Sequence, residues 1–157
     1  MMDCQIVFNY SKSKYKFIVL DNVNKKFLKK YIINLCKKNK IELINKIYLN
    51  YNFISKSEQI KMNIDFKQHN YNTDILTFNL SESHCELTGD VYISLKQIEK
   101  NTKRFKTNLY FELNRVIIHG FLHLYGFNDE FKSEKKQMRN QENKYLNYLK
   151  NKFHVEH

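Results

Sequence analysis

Residues 115–130 read RVIIHGFLHLYGFNDE. The run continues a pattern that opens near residue 109, and over 109–125 the apolar positions predict a helix. Its core face uses Phe111, Val116, Phe121 and Leu124, and Ile117 and Ile118 broaden the buried stripe. His119 and His123 are four apart in that helix, so both imidazoles project from one face about one turn from each other. This spacing lets two ring nitrogens reach one metal ion. It is equally open to two histidines with ordinary hydrogen-bond partners, because an HxxxH pair alone is a short motif. Gly126 falls just past His123, where helices commonly end in a left-handed residue that glycine adopts without steric cost. A reversal there brings Asn128, Asp129 or Glu130 back over the pair. Asp129 is the first choice as third ligand, against its plainer role as a solvated turn residue. Three protein ligands leave a coordination position for water, which is how a catalytic metal site is built.

Position 120 carries a negative result. In HExxH peptidases the residue after the first histidine is a glutamate acting as general base, and here it is Gly120. A mid-helix glycine costs about 1 kcal/mol relative to alanine. Its presence implies close approach to that backbone, either by a packed strand or by a substrate crossing the site. The chain has only three glycines, Gly89, Gly120 and Gly126, and no proline. Flexible linkers and proline-rich docking segments are excluded, and turns fall to Asn, Asp and Ser.

At 157 residues the chain has room for one domain with a substantial core, and no repeat or linker divides it, so 1–157 is read as a single domain. Lys+Arg 27 against Asp+Glu 16 gives 27 − 16 = +11. That excess favours anionic partners such as RNA, DNA or a membrane surface. Lys, Asn, Ile, Phe and Tyr are all encoded by A/T-rich codons, so nucleotide bias competes as the source of the charge; only Arg104, Arg115 and Arg139 are arginines. No targeting stretch and no apolar run long enough to span a bilayer is visible, and the expected location is the cytoplasm. Cys4, Cys36 and Cys85 are odd in number and lack a CxxC spacing, which argues against a disulfide scaffold or a cysteine zinc site; Cys36 lies on an apolar helical face.

Outward from the histidine helix, β-branched and aromatic runs at 4–9 and 15–20 suit strands, or one strand and an extended arm. Leu28, Tyr31, Ile32, Leu35 and Cys36 mark a helix over 24–38. Residues 43–51 suit a strand, and Ser55 or Ser57 caps a short helix running to about Phe66. TDILTFNL at 73–80 and LTGDVYIS at 87–94 are the two best strand candidates. A helix starts near Ser94, and a last one over 132–152 sets Met138, Tyr145, Leu149 and Phe153 on one face. Strands and helices interleave, so the expected class is α/β (α+β), a small mixed sheet of about four strands covered by helices.

RVIIHGFLHLYGFNDE, with TDILTF and LTGDVYIS upstream, resembles the bacterial YbeY family of metal-dependent endoribonucleases implicated in ribosomal RNA maturation. The family signature HGxLHLxGyDH binds zinc through three histidines. Without gaps, its first two fall on His119 and His123, its second glycine on Gly126 and its last histidine on Asp129. The resemblance spans roughly residues 43–145 and implies a zincin-like metal helix. It implies His119, His123 and Asp129 as ligands of one divalent metal. A carboxylate in place of an imidazole makes the site harder and more negative, so Mn2+ or Fe2+ is tolerated beside Zn2+. A basic residue of the family, often Arg, aligns with Lys67, which could neutralise charge in the transition state but lacks the bidentate fork of Arg. The resemblance thus implies Lys67, His119 and His123 as catalytic residues.

Asp74 and Asp90 are candidates for outer hydrogen bonds, and Tyr71, Phe78 and Tyr92 for base stacking, although strand aromatics usually belong to a core; His69 reads as a surface residue. The implied partners are ribosomal RNA, small-subunit proteins and a ribosome-assembly GTPase, with no membrane. A catalytically inactive assembly factor is the competing function. A zincin-like peptidase is a third, and Gly120 speaks against it.

Overall fold

The structure is a computed structural model that describes residues 1–39, 44–66 and 75–153. In chain order the elements are β1 (Asp3–Tyr10), α1 (Ser13–Asn22), α2 (Lys25–Lys38), β2 (Lys46–Ile54), α3 (Lys56–Phe66), β3 (Ile75–Asn79), β4 (Glu86–Ser94), α4 (Leu95–Phe105), α5 (Leu109–Tyr125) and α6 (Lys132–Phe153). The sheet order is β1-β2-β4-β3. β1, β2 and β4 run parallel, and β3 pairs antiparallel with β4 at the edge. The expected small mixed sheet with helices around it is the observed architecture.

Period-two burial decides how the sheet sits. Ile47, Leu49, Tyr51 and Phe53 of β2 and Leu87, Val91 and Ile93 of β4 are buried. The intervening Asn50, Asn52 and Asp90 form a polar ladder in which Asn50 donates to Asp90 at 3.0 Å and Asn9 of β1 donates to Asn52 at 3.0 Å. Asp90 therefore serves the sheet. α5 lies against the buried face, and the Tyr51 hydroxyl donates to the Ile117 carbonyl of α5 at 3.1 Å. Phe111, Leu113, Val116, Ile117, Ile118, Phe121, Leu122 and Leu124 bury this helix almost all round, as expected of a helix between a sheet and other helices.

Polar side chains cap α2, α3, α4 and α5, whereas α1 begins without a side-chain cap. Asn24, Ser94 and Asn108 accept from the N–H groups of Phe27, Gln97 and Phe111. At α3, the Ser55 N–H donates to Glu58 and the Glu58 N–H donates to the Ser55 hydroxyl, a reciprocal capping box.

One element departs from expectation. Residues 15–20 suit a strand, but they lie in α1. Tyr15 and Val19, four apart, are buried, and the helix packs on β1 and α5. Burial of that pair outweighs the local β preference of KFIVL, which is worth only tenths of a kcal/mol per residue. Cys4 and Cys36 are free and buried while Cys85 is exposed; burial pushes the Cys36 thiol up to about 12, leaving it inert core.

Candidate metal centre

Gly126 ends α5 at φ +110. Its N–H reaches the His123 carbonyl at 3.1 Å, and the Phe127 N–H reaches the Leu122 carbonyl at 2.9 Å. This six-to-one closure is a Schellman turn. The turn sends the chain back along α5 and into α6, where the Glu134 carboxylate accepts from the Glu130 and Phe131 N–H groups.

The reversal has two consequences at the histidines. It brings the Phe127 carbonyl to 3.1 Å from His123 Nδ1. It also sets Asp129 Oδ2 at 3.5 Å from both His119 Nε2 and His123 Nε2, which are themselves 3.0 Å apart. His119, His123 and Asp129 each offer a ligand atom within a 4.8 Å cluster. The structure brings together the three residues that the sequence nominated.

The outer partners decide which nitrogen carries each proton. His119 Nδ1 lies 2.8 Å from Glu142 Oε1, and His123 Nδ1 faces a backbone carbonyl. Both partners are acceptors, so both Nδ1 atoms donate, and in neutral imidazoles both Nε2 atoms then carry lone pairs. Two lone pairs and a carboxylate oxygen converging on one point repel one another unless a cation or a shared proton lies between them. Burial lowers the His123 pKa, as does neighbouring His119, against the opposing pull of Asp129, the Phe127 carbonyl and Glu142. A low imidazole pKa disfavours the proton and leaves the pocket suited to a metal ion. The donor set, two nitrogens and one oxygen, fits a divalent metal with a position open to water.

Glu142 is the residue that sequence reasoning missed. Only 5% exposed, it accepts from His119 through Oε1 and from Arg115 Nη1 through Oε2 at 3.0 Å. Burial raises the Glu142 carboxyl pKa, but the hydrogen bond and charge of His119, then Arg115 and Arg139, outweigh it and hold the group below its ordinary value. A signal was present: Glu142 falls on the stripe of Met138, Tyr145 and Leu149, where a charge must have a partner.

The close approach at Gly120 is a packing contact. A Cβ there would stand 2.7 Å from Val91 Cγ1 of β4. The position faces the sheet, so a glutamate could not be held there to serve solvent. Phe78 meets Phe66 and Tyr92 edge-on, with ring centroids 5.2 and 5.8 Å apart. Lys67, His69, Tyr71 and Asp74 lie outside the described residues.

A profile of the family described as Endoribonuclease YbeY matches residues 11–150. The chain belongs to the YbeY family. Among relatives named Endoribonuclease YbeY, that of Karelsulcia muelleri is 44% identical over 111 residues, 69% of this chain and 78% of the relative. That of Amoebophilus asiaticus is 34% identical over 123 residues, 78% of this chain and 82% of the relative. A Thermotoga maritima protein solved in solution superposes with a TM-score of 0.63 at 25% identity, covering 96% of this chain and 92% of that one. The matched range includes the helix, turn and carboxylate at the end of α5. No described helix is long and apolar enough to cross a membrane.

Proposed function

We propose that this YbeY chain is a metal-dependent endoribonuclease whose one divalent ion is held by His119, His123 and Asp129. The observation that carries the reading is the convergence of His119 Nε2, His123 Nε2 and Asp129 Oδ2 while both Nδ1 atoms are committed to acceptors. When bound, the ion supplies Lewis-acid polarisation of a phosphoryl oxygen and a water acidified toward neutrality. The chain's residues do the rest. Glu142 and the Phe127 carbonyl hold the two imidazoles in the tautomer that presents Nε2, and Arg115 keeps Glu142 ionised. Asp129, the most exposed of the three ligands, leaves the centre open on its own side.

Zn2+ fits two nitrogens and one carboxylate, and the oxygen donor extends the fit to Mn2+ or Fe2+. The substrate class is single-stranded RNA, and the setting that family membership supports is ribosomal RNA maturation at the small-subunit 3′ end. Small-subunit proteins and an assembly GTPase would be partners, in the cytoplasm. Lys67 is the cation assigned to the transition state by its place in the family pattern, and 1–157 is read as one domain.

The test is cleavage of a labelled single-stranded RNA by protein carrying one metal per chain. Wild type should cut in a metal-dependent way, and the His119→Ala/His123→Ala double variant should lose both metal and cleavage. Metal-loaded wild type that binds RNA and leaves it intact would establish the assembly-factor reading instead. The peptidase reading is disfavoured by the position of Gly120 against Val91.

A further inference from the structure

Two of the three arginines meet at one carboxylate. Arg115 Nη1 lies 3.0 Å from Glu142 Oε2, and Arg139 Nη1 lies 3.8 Å from the same oxygen. In a chain of 27 basic residues only Arg104, Arg115 and Arg139 are arginines, so lysine is the default cation. An arginine at such a place therefore points to something its planar fork does and an ammonium does not.

The two differ in what they are free to do. Arg115 is largely covered, with 25% of its side chain exposed, and it also lies 3.9 Å from Glu112. Glu142 is thus already matched by Arg115 and by His119 Nδ1 at 2.8 Å. Arg139 is 61% exposed and too far from Glu142 for a hydrogen bond. Among the described residues it has no other ion pair or side-chain hydrogen bond. Arg139 reaches the buried Glu142 carboxylate from 3.8 Å without a hydrogen bond, and Arg115 and His119 already satisfy that carboxylate, so stability is a weak reason for it.

Charge at the centre supplies a stronger one. Asp129 adds a carboxylate on the open side of the centre, where an anionic backbone must approach and where an exposed guanidinium can meet that backbone. The geometry points to Arg139 as a phosphate-binding residue: its guanidinium, one carboxylate away from His119, takes a non-bridging oxygen of the RNA strand that lies over the metal centre. A bidentate guanidinium–phosphate contact is among the stronger charge-assisted pairs. This inference rests on the endoribonuclease reading and adds to it a substrate contact supplied by α6.

The experiment measures binding of a single-stranded RNA oligonucleotide, 2′-O-methylated so that it persists, to metal-loaded wild type, Arg139→Ala, Arg139→Lys and Arg104→Ala. Arg104, on α4 and over the Phe105 ring, controls for the loss of one positive charge elsewhere. Arg139→Ala should weaken RNA binding about ten-fold or more and lower the salt slope by about 0.7, the single-strand value for one phosphate contact. Arg139→Lys should fall between, and metal affinity and melting temperature should stay at the wild-type values. Equal weakening in Arg139→Ala and Arg104→Ala would reduce the effect to net charge and overturn the proposal. Lost metal affinity with RNA binding intact would overturn it too, by placing Arg139 behind Glu142. A wild type that fails to bind RNA would sink the endoribonuclease reading itself.

Discussion

His119 and Glu142 are joined by a 2.8 Å hydrogen bond between Nδ1 and Oε1, across 23 residues and two helices. The bond fixes the tautomer of the first histidine, so a residue on α6 controls a nitrogen on α5. Glu142→Gln keeps an acceptor but removes the charge that Arg115 and His119 share. It should weaken metal binding about 10- to 100-fold, the usual cost of losing an outer-shell carboxylate. A chelator competition titration, with circular dichroism to confirm folding, reads this directly; unchanged metal affinity would remove Glu142 from the centre.

Gly126 stands in open space, with nothing within 4 Å of where a Cβ would be, and its φ is +110. Any cost of substitution there comes from the backbone. Gly126→Val should lose about 1–3 kcal/mol of stability. It should lose metal affinity more severely, because the same turn places the Phe127 carbonyl on His123 and brings Asp129 over both rings. Thermal unfolding with and without metal separates the two effects; equal losses in both states would mean that the turn matters only to folding.

The other two glycines are held by contact. A Cβ at Gly120 meets Val91 Cγ1 at 2.7 Å, whereas at Gly89 it meets Leu124 methyls at 2.7 Å and the Phe78 carbonyl oxygen at 2.8 Å. A strand carbonyl cannot turn away as a side chain can. Gly120→Ala should cost about 1–3 kcal/mol, the range for overpacking, and Gly89→Ala should cost more. Urea unfolding of the pair gives the order, and the reverse order would refute the packing argument.

Replacing Asp129 tests the donor set. Asp129→Ala should release most of the metal. Asp129→His should retain it with preference moved from Mn2+ toward Zn2+, since a third imidazole is the softer ligand. Competition between the two ions, followed by elemental analysis, decides; equal selectivity in wild type and Asp129→His would show that this position does not touch the ion.

The capping box of α3 carries a pH dependence. The Ser55 hydroxyl and then the Ser55 N–H hold the Glu58 carboxyl below its ordinary value, so the folded state favours the carboxylate. The unfolded chain therefore binds the proton more tightly. The stabilisation is complete above the ordinary glutamate pKa and is lost as pH falls through the lowered folded one. Between those values the melting temperature of wild type should decline more steeply than that of Glu58→Gln, and identical slopes would count against the box.

Much of the fold was legible because it is written in local periodicity. The helix over 109–125 coincides with α5, and the caps at Ser55 and Ser94 stand where polar residues precede apolar runs. The cluster of His119, His123 and Asp129 was legible for a similar reason: the two histidines share a helical face, and Gly126 lets the chain reverse so that a group just beyond it can return over them.

What the tertiary structure alone decided involves residues distant in sequence. The strand expected at 15–20 became α1 because Tyr15 and Val19 bury against elements that no local window contains. The contact implied by Gly120 proved to be Val91, and the partner of His119 proved to be Glu142. A periodic pattern states which face of an element is apolar. Which group arrives at that face depends on how α5, α6 and the sheet pack, and that is set by the free energy of the whole core.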